Sequence, residues 1–170
     1  LYTTTSLVHQ YLEAKGWERS KPIDGYLFDR TPPEGEPATS VHIPYPSSSI
    51  VEWTYDADSR VYLREVAGRP HTEGLTGEQL AAANVIVLYA EHRRTDIVED
   101  VNGATAIDIV LSGEGRAQIL RDGVVLDVRW RQDAPGELIR YYDARGDEVA
   151  LKPGQTWIQL VPTDYEVTVD

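Results

Sequence analysis

The chain has no cysteine and no methionine. Absent cysteine excludes disulfides, thiolate-held metals and cysteine nucleophiles. It leaves the compartment open, since exported proteins also fold without disulfides. Phenylalanine occurs once, at Phe28, and asparagine only at Asn84 and Asn102. Few oxidisable and deamidating side chains, with arginine far commoner than lysine, suit a hot habitat or a high-GC genome equally well. Long apolar runs are missing too. No segment approaches the roughly 20 apolar residues that a membrane span requires, so no transmembrane segment is predicted. Positive charge is scarce: 16 Lys and Arg stand against 28 Asp and Glu, a formal net charge of -12. The densest basic cluster, His92-Arg93-Arg94, runs straight into Asp96, Glu99 and Asp100. Such a chain repels phosphate backbones, which argues against nucleic acid and anionic membrane surfaces as partners. A cationic partner, a divalent cation or a neutral polymer stays open. The first residue is Leu1 rather than methionine, which reads as a processed or excised piece of a longer precursor whose signal or lipid anchor is gone.

What is present is mostly strand pattern. At 170 residues and 41% hydrophobic, residues 1–170 are expected to form one domain with a sizeable core. Residues 3–15 read as an amphipathic helix, with Leu7, Val8, Tyr11 and Leu12 at helical spacing, Thr and Ser before them as caps and Gly16 as the stop. Trp17 is expected to pack back on the core. A proline-rich surface loop covers about residues 18–38, with Pro22, Pro32, Pro33 and Pro37, and with Tyr26 and Phe28 as pins. From residue 39 the alternation is β. Val41 and Ile43 alternate with polar neighbours. Val51, Trp53 and Tyr55 share a strand face, Tyr62 and Arg64 share a face of the next, and Asp56-Ala57-Asp58-Ser59 joins the two as a hairpin.

A short internal helix is expected over residues 76–83, capped by Thr76. A buried-type strand follows at 84–89, then strands at 104–111, 116–120, 124–130, 138–142, 148–151, 157–161 and 165–169. Asp122-Gly123 and Asp143-Ala144-Arg145-Gly146 read as hairpin turns. The expected class is α+β and predominantly β: an antiparallel sheet, sandwich or partly closed barrel with an N-terminal helix and one short internal helix.

Chemistry is sparsely marked. No serine lies in a Gly-x-Ser-x-Gly elbow, Ser47-Ser48-Ser49 reads as plain loop, and no two histidines stand at the spacing of a zinc helix. Asp96, Glu99 and Asp100, ahead of Asn102-Gly103, invite a metal reading. In the EF-hand register, however, Val98 and Ile109 fall where carboxylates are needed, so the stretch reads as an acidic β-turn. Gly113-Glu114-Gly115 lacks the third glycine and the helix of a dinucleotide loop and reads as a bulge or tight turn. His71, in Gly68-Arg69-Pro70-His71-Thr72-Glu73, is the candidate general base or ligand, with Arg64 and Arg121 as candidate anion stabilisers. Among the strand-borne aromatics, Trp53, Tyr55, Tyr62 and Trp130 are candidate ligand-stacking residues if they share an exposed face. The competing reading makes them core.

Several stretches, in order through nearly the whole chain, resemble the C-terminal half of the YerB-like bacterial lipoproteins, a family of unknown function. They are Leu1-Tyr2-Thr3, Val51-Glu52-Trp53-Thr54-Tyr55-Asp56, Tyr62-Leu63-Arg64, Gly77-Glu78-Gln79-Leu80 with Asn84-Val85-Ile86-Val87, Ser112-Gly113-Glu114-Gly115, Arg121-Asp122-Gly123, Trp130, Tyr142-Asp143, and Lys152-Pro153-Gly154-Gln155-Thr156-Trp157-Ile158. His71 stands where that family tends to have histidine, and Glu73 departs from the aspartate expected there. The resemblance implies an exported protein, often lipid-held through an N-terminal cysteine, with a separate N-terminal domain that this chain lacks. It supplies no mechanism.

The leading expectation is an extracytoplasmic, envelope-associated binding or assembly module, at the cell surface or secreted. Its partner would be a cell-envelope polymer, a protein, its own N-terminal domain or a second copy. The alternative is a hydrolase or lyase acting on an envelope polymer from a His71-centred site, which needs a carboxylate within reach of the imidazole. No cofactor and no metal are expected.

Overall fold

The computed structural model describes residues 3–19, 24–46 and 48–170. Leu1, Tyr2, Pro22 and Ser47, named above, lie outside the described residues. In chain order the elements are helix α1 (Thr5–Ala14) and strands β1 (Glu36–Pro37), β2 (Ser40–Ile43), β3 (Val51–Asp56), β4 (Val61–Val66), β5 (Arg69–Pro70), β6 (Ala81–Ala82), β7 (Asn84–Val98), β8 (Thr105–Val110), β9 (Gly113–Arg121), β10 (Val124–Gln132), β11 (Arg140–Tyr142), β12 (Thr156–Pro162) and β13 (Thr168–Val169).

The strands form two sheets. One runs β1-β10-β9-β7-β12, with β11 on β10 and β8 on the far part of β7; the other runs β13-β2-β3-β4-β5, with β6 on β4. All pairings between these strands are antiparallel except β12 on β7, which is parallel. The α+β, mostly antiparallel class expected from the pattern therefore holds, with one parallel pair that alternation alone does not reveal.

Strand β7 explains the layering. Val85, Val87 and Tyr89 point into the layer between the sheets, where they meet Val41, Ile43, Trp53 and Tyr62. Ile86, Leu88 and Ala90 point the other way, onto Ala117, Ile119, Trp130, Tyr141 and Leu151. Burial on both faces is what a continuous apolar run requires, and each large side chain so buried contributes about 1.5–3 kcal/mol. The outer face is roofed by the loops around residues 24–31 and 139–151. Tyr26 stacks on Tyr141 at 6.2 Å. Phe28 is a pin through its backbone bridge to Leu151, its ring being exposed.

Beyond Ala90 the chain of β7 pairs only with β8, as a two-stranded arm. Its acidic turn is held by Asp100, whose Oδ1 accepts from the Asn102 and Ala104 N–H groups at 2.8 and 3.0 Å. The two strongest hairpin signals are realised. Asp122 and Gly123 take φ of +53° and +79°, the pair of positive values a type I′ turn needs. At the β3–β4 turn Asp56 accepts from the Asp58 and Ser59 N–H groups. The Asp143 turn is shorter than expected, with one bridge from Tyr142 to Glu148.

Three expectations are corrected. Residues 76–83 are not helical: Gly77 sits at φ +73°, Glu73 Oε2 accepts from the Leu75 and Thr76 N–H groups in a turn, and Ala81–Ala82 pairs with β4. Strand pairing across the sheet overrides the local cap signal. Gly113-Glu114-Gly115 is strand, not a bulge. Gly115 faces Trp130 across the β9–β10 pair, and a Cβ there would lie 2.5 Å from the indole nitrogen. Trp17 does not reach the core. It is 61% exposed and meets Tyr11 edge-on at 6.2 Å. Thr4 caps α1 as expected, but no residue of the helix is buried.

Candidate functional site

The site grows from the β3–β4 hairpin. Trp53 and Arg64 are register partners, and the two-residue period sets both beside Val51 and Tyr62 on the face turned toward the other sheet. Arg64 is only 9% exposed. Its guanidinium carbon lies 4.7 Å from the ring centre of Trp157 on β12 and 5.8 Å from that of Trp53. The two indoles meet edge-on at 5.5 Å. Contacts of this kind are worth about 0.5–2 kcal/mol each.

The segment after β4 turns back so that the His71 N–H donates to the Arg64 carbonyl at 3.0 Å and the His71 carbonyl accepts from Leu80 at 2.8 Å. Gln79 Nε2 also donates to the Arg64 carbonyl at 2.9 Å. This brings His71 Nδ1 against Arg64 Nη1. A guanidinium only donates, so Nδ1 accepts, and the proton of the neutral imidazole sits on Nε2. The His71 ring stands edge-on to Trp157 at 6.4 Å. Trp157 Nε1 in turn donates to Gln159 Oε1 at 2.9 Å.

Burial lowers the Arg64 pKa from its ordinary value, with Tyr45 acting in the opposite sense. Burial pushes the Tyr45 hydroxyl up to about 12, and that hydroxyl donates to the Leu160 carbonyl at 2.6 Å. No carboxylate pairs with Arg64, and none bonds the His71 ring, among the described residues.

The structure thus joins two of the three residues singled out for catalysis and separates the third. Arg121 follows Ala117 and Ile119 along β9 and so turns to the opposite face of its sheet. It is 2% exposed. Nη1 donates to the Ala150 carbonyl at 2.9 Å, Nη2 to those of Asp29 and Thr31 at 2.8 Å each, and Nε to Asp122 at 3.2 Å. It is a clamp on the loops that roof the outer core. Asp122, with its side chain 1% exposed, also receives Arg60 at 2.6 Å and Lys152 at 3.0 Å. Burial alone raises its pKa, but the bonds from Lys152, Arg60 and Arg121 outweigh that and hold the carboxyl below its usual range.

Trp53, Tyr62 and Trp130 are buried, so they form no exposed stacking face. The Tyr62 hydroxyl donates to Ala38 at 2.9 Å and Trp130 Nε1 to Tyr89 at 2.8 Å. Tyr55 is partly buried, 5.1 Å from the Tyr62 ring. Asp96, Glu99 and Asp100 lie in the arm and its turn, and no group of three metal-binding side chains comes together among the described residues. Trp157 and Gln159 are the site residues that sequence reasoning did not nominate. The signal was there: Gln159 holds a position between Trp157 and Val161 on the inward face of an apolar strand, where a polar side chain is out of place.

Comparison with known proteins agrees with this architecture. The family described as "Protein of unknown function (DUF3048) C-terminal domain" matches residues 41–158. The chain belongs to this family. The match takes in β3, β4, the His71 segment and Trp157. A relative from Bacillus subtilis (strain 168), named "Putative lipoprotein YerB", is 27% identical over 167 residues, 95% of this chain and 47% of the relative. The crystal structure of the YerB protein from Bacillus subtilis superposes with a TM-score of 0.71 at 25% identity, covering 98% of this chain and 54% of that one. The chain therefore spans about half the length of the relative it matches. Among the described residues no helix is long and apolar enough to cross a membrane.

Proposed function

We propose that this chain is an extracytoplasmic, envelope-associated binding module, the C-terminal part of a longer exported protein, and that the Arg64–His71–Trp157 cluster is its recognition point. The lipoprotein name of the relative supports the envelope location. The observation that carries the recognition point is the contact of Arg64 with His71 beside two indoles, with no carboxylate to neutralise the arginine among the described residues. Sandwich interiors exclude unpaired charge unless something compensates it. A hydrolase or lyase built on His71 is less well supported. The ring nitrogen that an orienting carboxylate would occupy is taken by Arg64, and Arg121 serves the other face of the sheet.

The test is co-sedimentation of the purified chain with isolated bacterial cell-wall polymer, beside a native-mass measurement. Saturable binding that weakens at least tenfold in the Arg64→Met variant is the expected result. A strictly monomeric chain that binds no envelope polymer would sink the reading.

A further inference from the structure

Three buried donors in the Arg64 cluster have no hydrogen-bond partner among the described residues: Arg64 Nε, Trp53 Nε1 and Gln159 Nε2. The three residues are 9%, 0% and 5% exposed. They share one neighbour. The Trp157 ring has the Trp53 ring at 5.5 Å and the Arg64 guanidinium at 4.7 Å, and its indole nitrogen is bonded to Gln159. The Gln159 oxygen is thereby taken, which fixes the amide nitrogen as the free end. Among the described residues only one other buried side-chain atom lacks a partner, the Tyr141 hydroxyl, and it lies in the outer core. Buried polar atoms in native proteins are almost always satisfied, and each orphan is costly. Three orphans of the same kind around one ring call for a shared acceptor.

We infer that this cluster binds a carboxylate group. A carboxylate has several lone-pair sites and no proton to offer, so it complements a set made only of donors, and its planar shape fits the guanidinium fork. It also brings the one negative charge that Arg64 lacks. A neutral carbonyl would leave the buried cation uncompensated. A phosphate dianion would bring a second charge with no second cation beside Arg64. This inference rests on the recognition point proposed above and names the chemistry it takes.

The experiment is an NMR titration of the 15N-labelled chain, following the Trp53 indole and Arg64 Nε–H resonances. The probes are sodium glucuronate for an acidic sugar, sodium N-acetyl-alaninate for a peptide terminus, glycerol 2-phosphate for a phosphate, and glucose as neutral control, all at matched ionic strength. Both resonances should move saturably with at least one carboxylate, and the better carboxylate names the source. Glucose should have no effect, and glycerol 2-phosphate should bind more weakly. Arg64→Met should lower carboxylate affinity at least tenfold, and Gln159→Leu, which leaves the charge in place, should lower it several-fold. Should Arg64→Met fail to fold, the Gln159→Leu titration decides alone. Resonances that stay fixed under both carboxylates, or that follow phosphate more tightly, overturn the assignment. So does a bound water on the three donors that saturating carboxylate does not displace. If cell-wall binding depends on Arg64 while no carboxylate competes, this inference falls and the recognition point stands. If carboxylates bind and cell-wall polymer does not, the reverse holds.

Discussion

Two arginines lie in the interior of this sandwich, one on each side of the same sheet, and they are handled differently. Arg121 is wrapped: three backbone carbonyls and the Asp122 carboxylate take its donors. Arg64 is almost as deeply buried, yet it touches aromatic rings and a histidine, keeps Nε unpartnered and has no counter-charge among the described residues. Depth alone therefore does not tell structure from site. What distinguishes the two is whether the hydrogen-bond capacity is used up inside the chain. Arg121 ties residues 29–31 and 150 to β9, and each of its three nitrogens has a partner inside the chain. Arg64 is held in place with capacity in reserve.

That contrast is open to attack by mutation. The largest effect is expected for Arg121→Met, which takes the donor from three part-buried carbonyls and removes one of the cations around Asp122. It should cost roughly 3–5 kcal/mol, or a fall in melting temperature of about 6–20 °C for a chain of this size. A urea melt showing a loss under about 1 kcal/mol would erase the distinction. A second effect depends on pH. Asp122 is held below its usual range, so its contribution is complete above about pH 4 and is lost as pH falls through the depressed value. Urea midpoints of the wild type and Asp122→Asn should differ at pH 7 and converge in acid; curves that stay parallel down to acid unfolding would remove Asp122 from the clamp. The smallest effect is expected for Arg64→Met. An apolar chain of similar length should keep the contacts with the indoles and relieve the unpartnered donor, so stability should change by no more than about 1 kcal/mol, in either direction. A loss as large as that of Arg121→Met would mean that Arg64 is a structural residue and nothing more.

The sequence shows one of these arginines no more clearly than the other, because each is fixed by pairings that are remote along the chain. Local chemistry was legible. Asp122-Gly123 and Asp56 announce their turns, and the alternation of Val51, Trp53 and Tyr55 marks a strand. It also sets Tyr62 and Arg64 on one face, but nothing local says that this is the buried face. A charged residue in an alternating strand reads as solvent-facing until the opposing sheet is known. Residues 76–83 failed as a helix for the same reason, since a Thr cap and a few alanines cannot outweigh pairing with β4. His71 and Arg64 were nominated together, and the return of the chain after β4 sets them side by side. Trp157 was read as a strand residue and Gln159 went unremarked, and neither was nominated for the site, because their strand joins β7 from 72 residues away, with Thr156 against Asn84.

That parallel pairing of β12 with β7 has a consequence for the order of assembly. The hairpin carrying Trp53 and Arg64 is contiguous and can form early. Trp157 and Gln159 arrive only after a slow, non-local closure. Until β12 docks, the Arg64 guanidinium and the Trp53 ring lack the Trp157 ring that packs against both. On the reading proposed above, binding would require the finished chain: any product truncated before β12 would retain the arginine and the histidine but not Trp157 and Gln159 beside them.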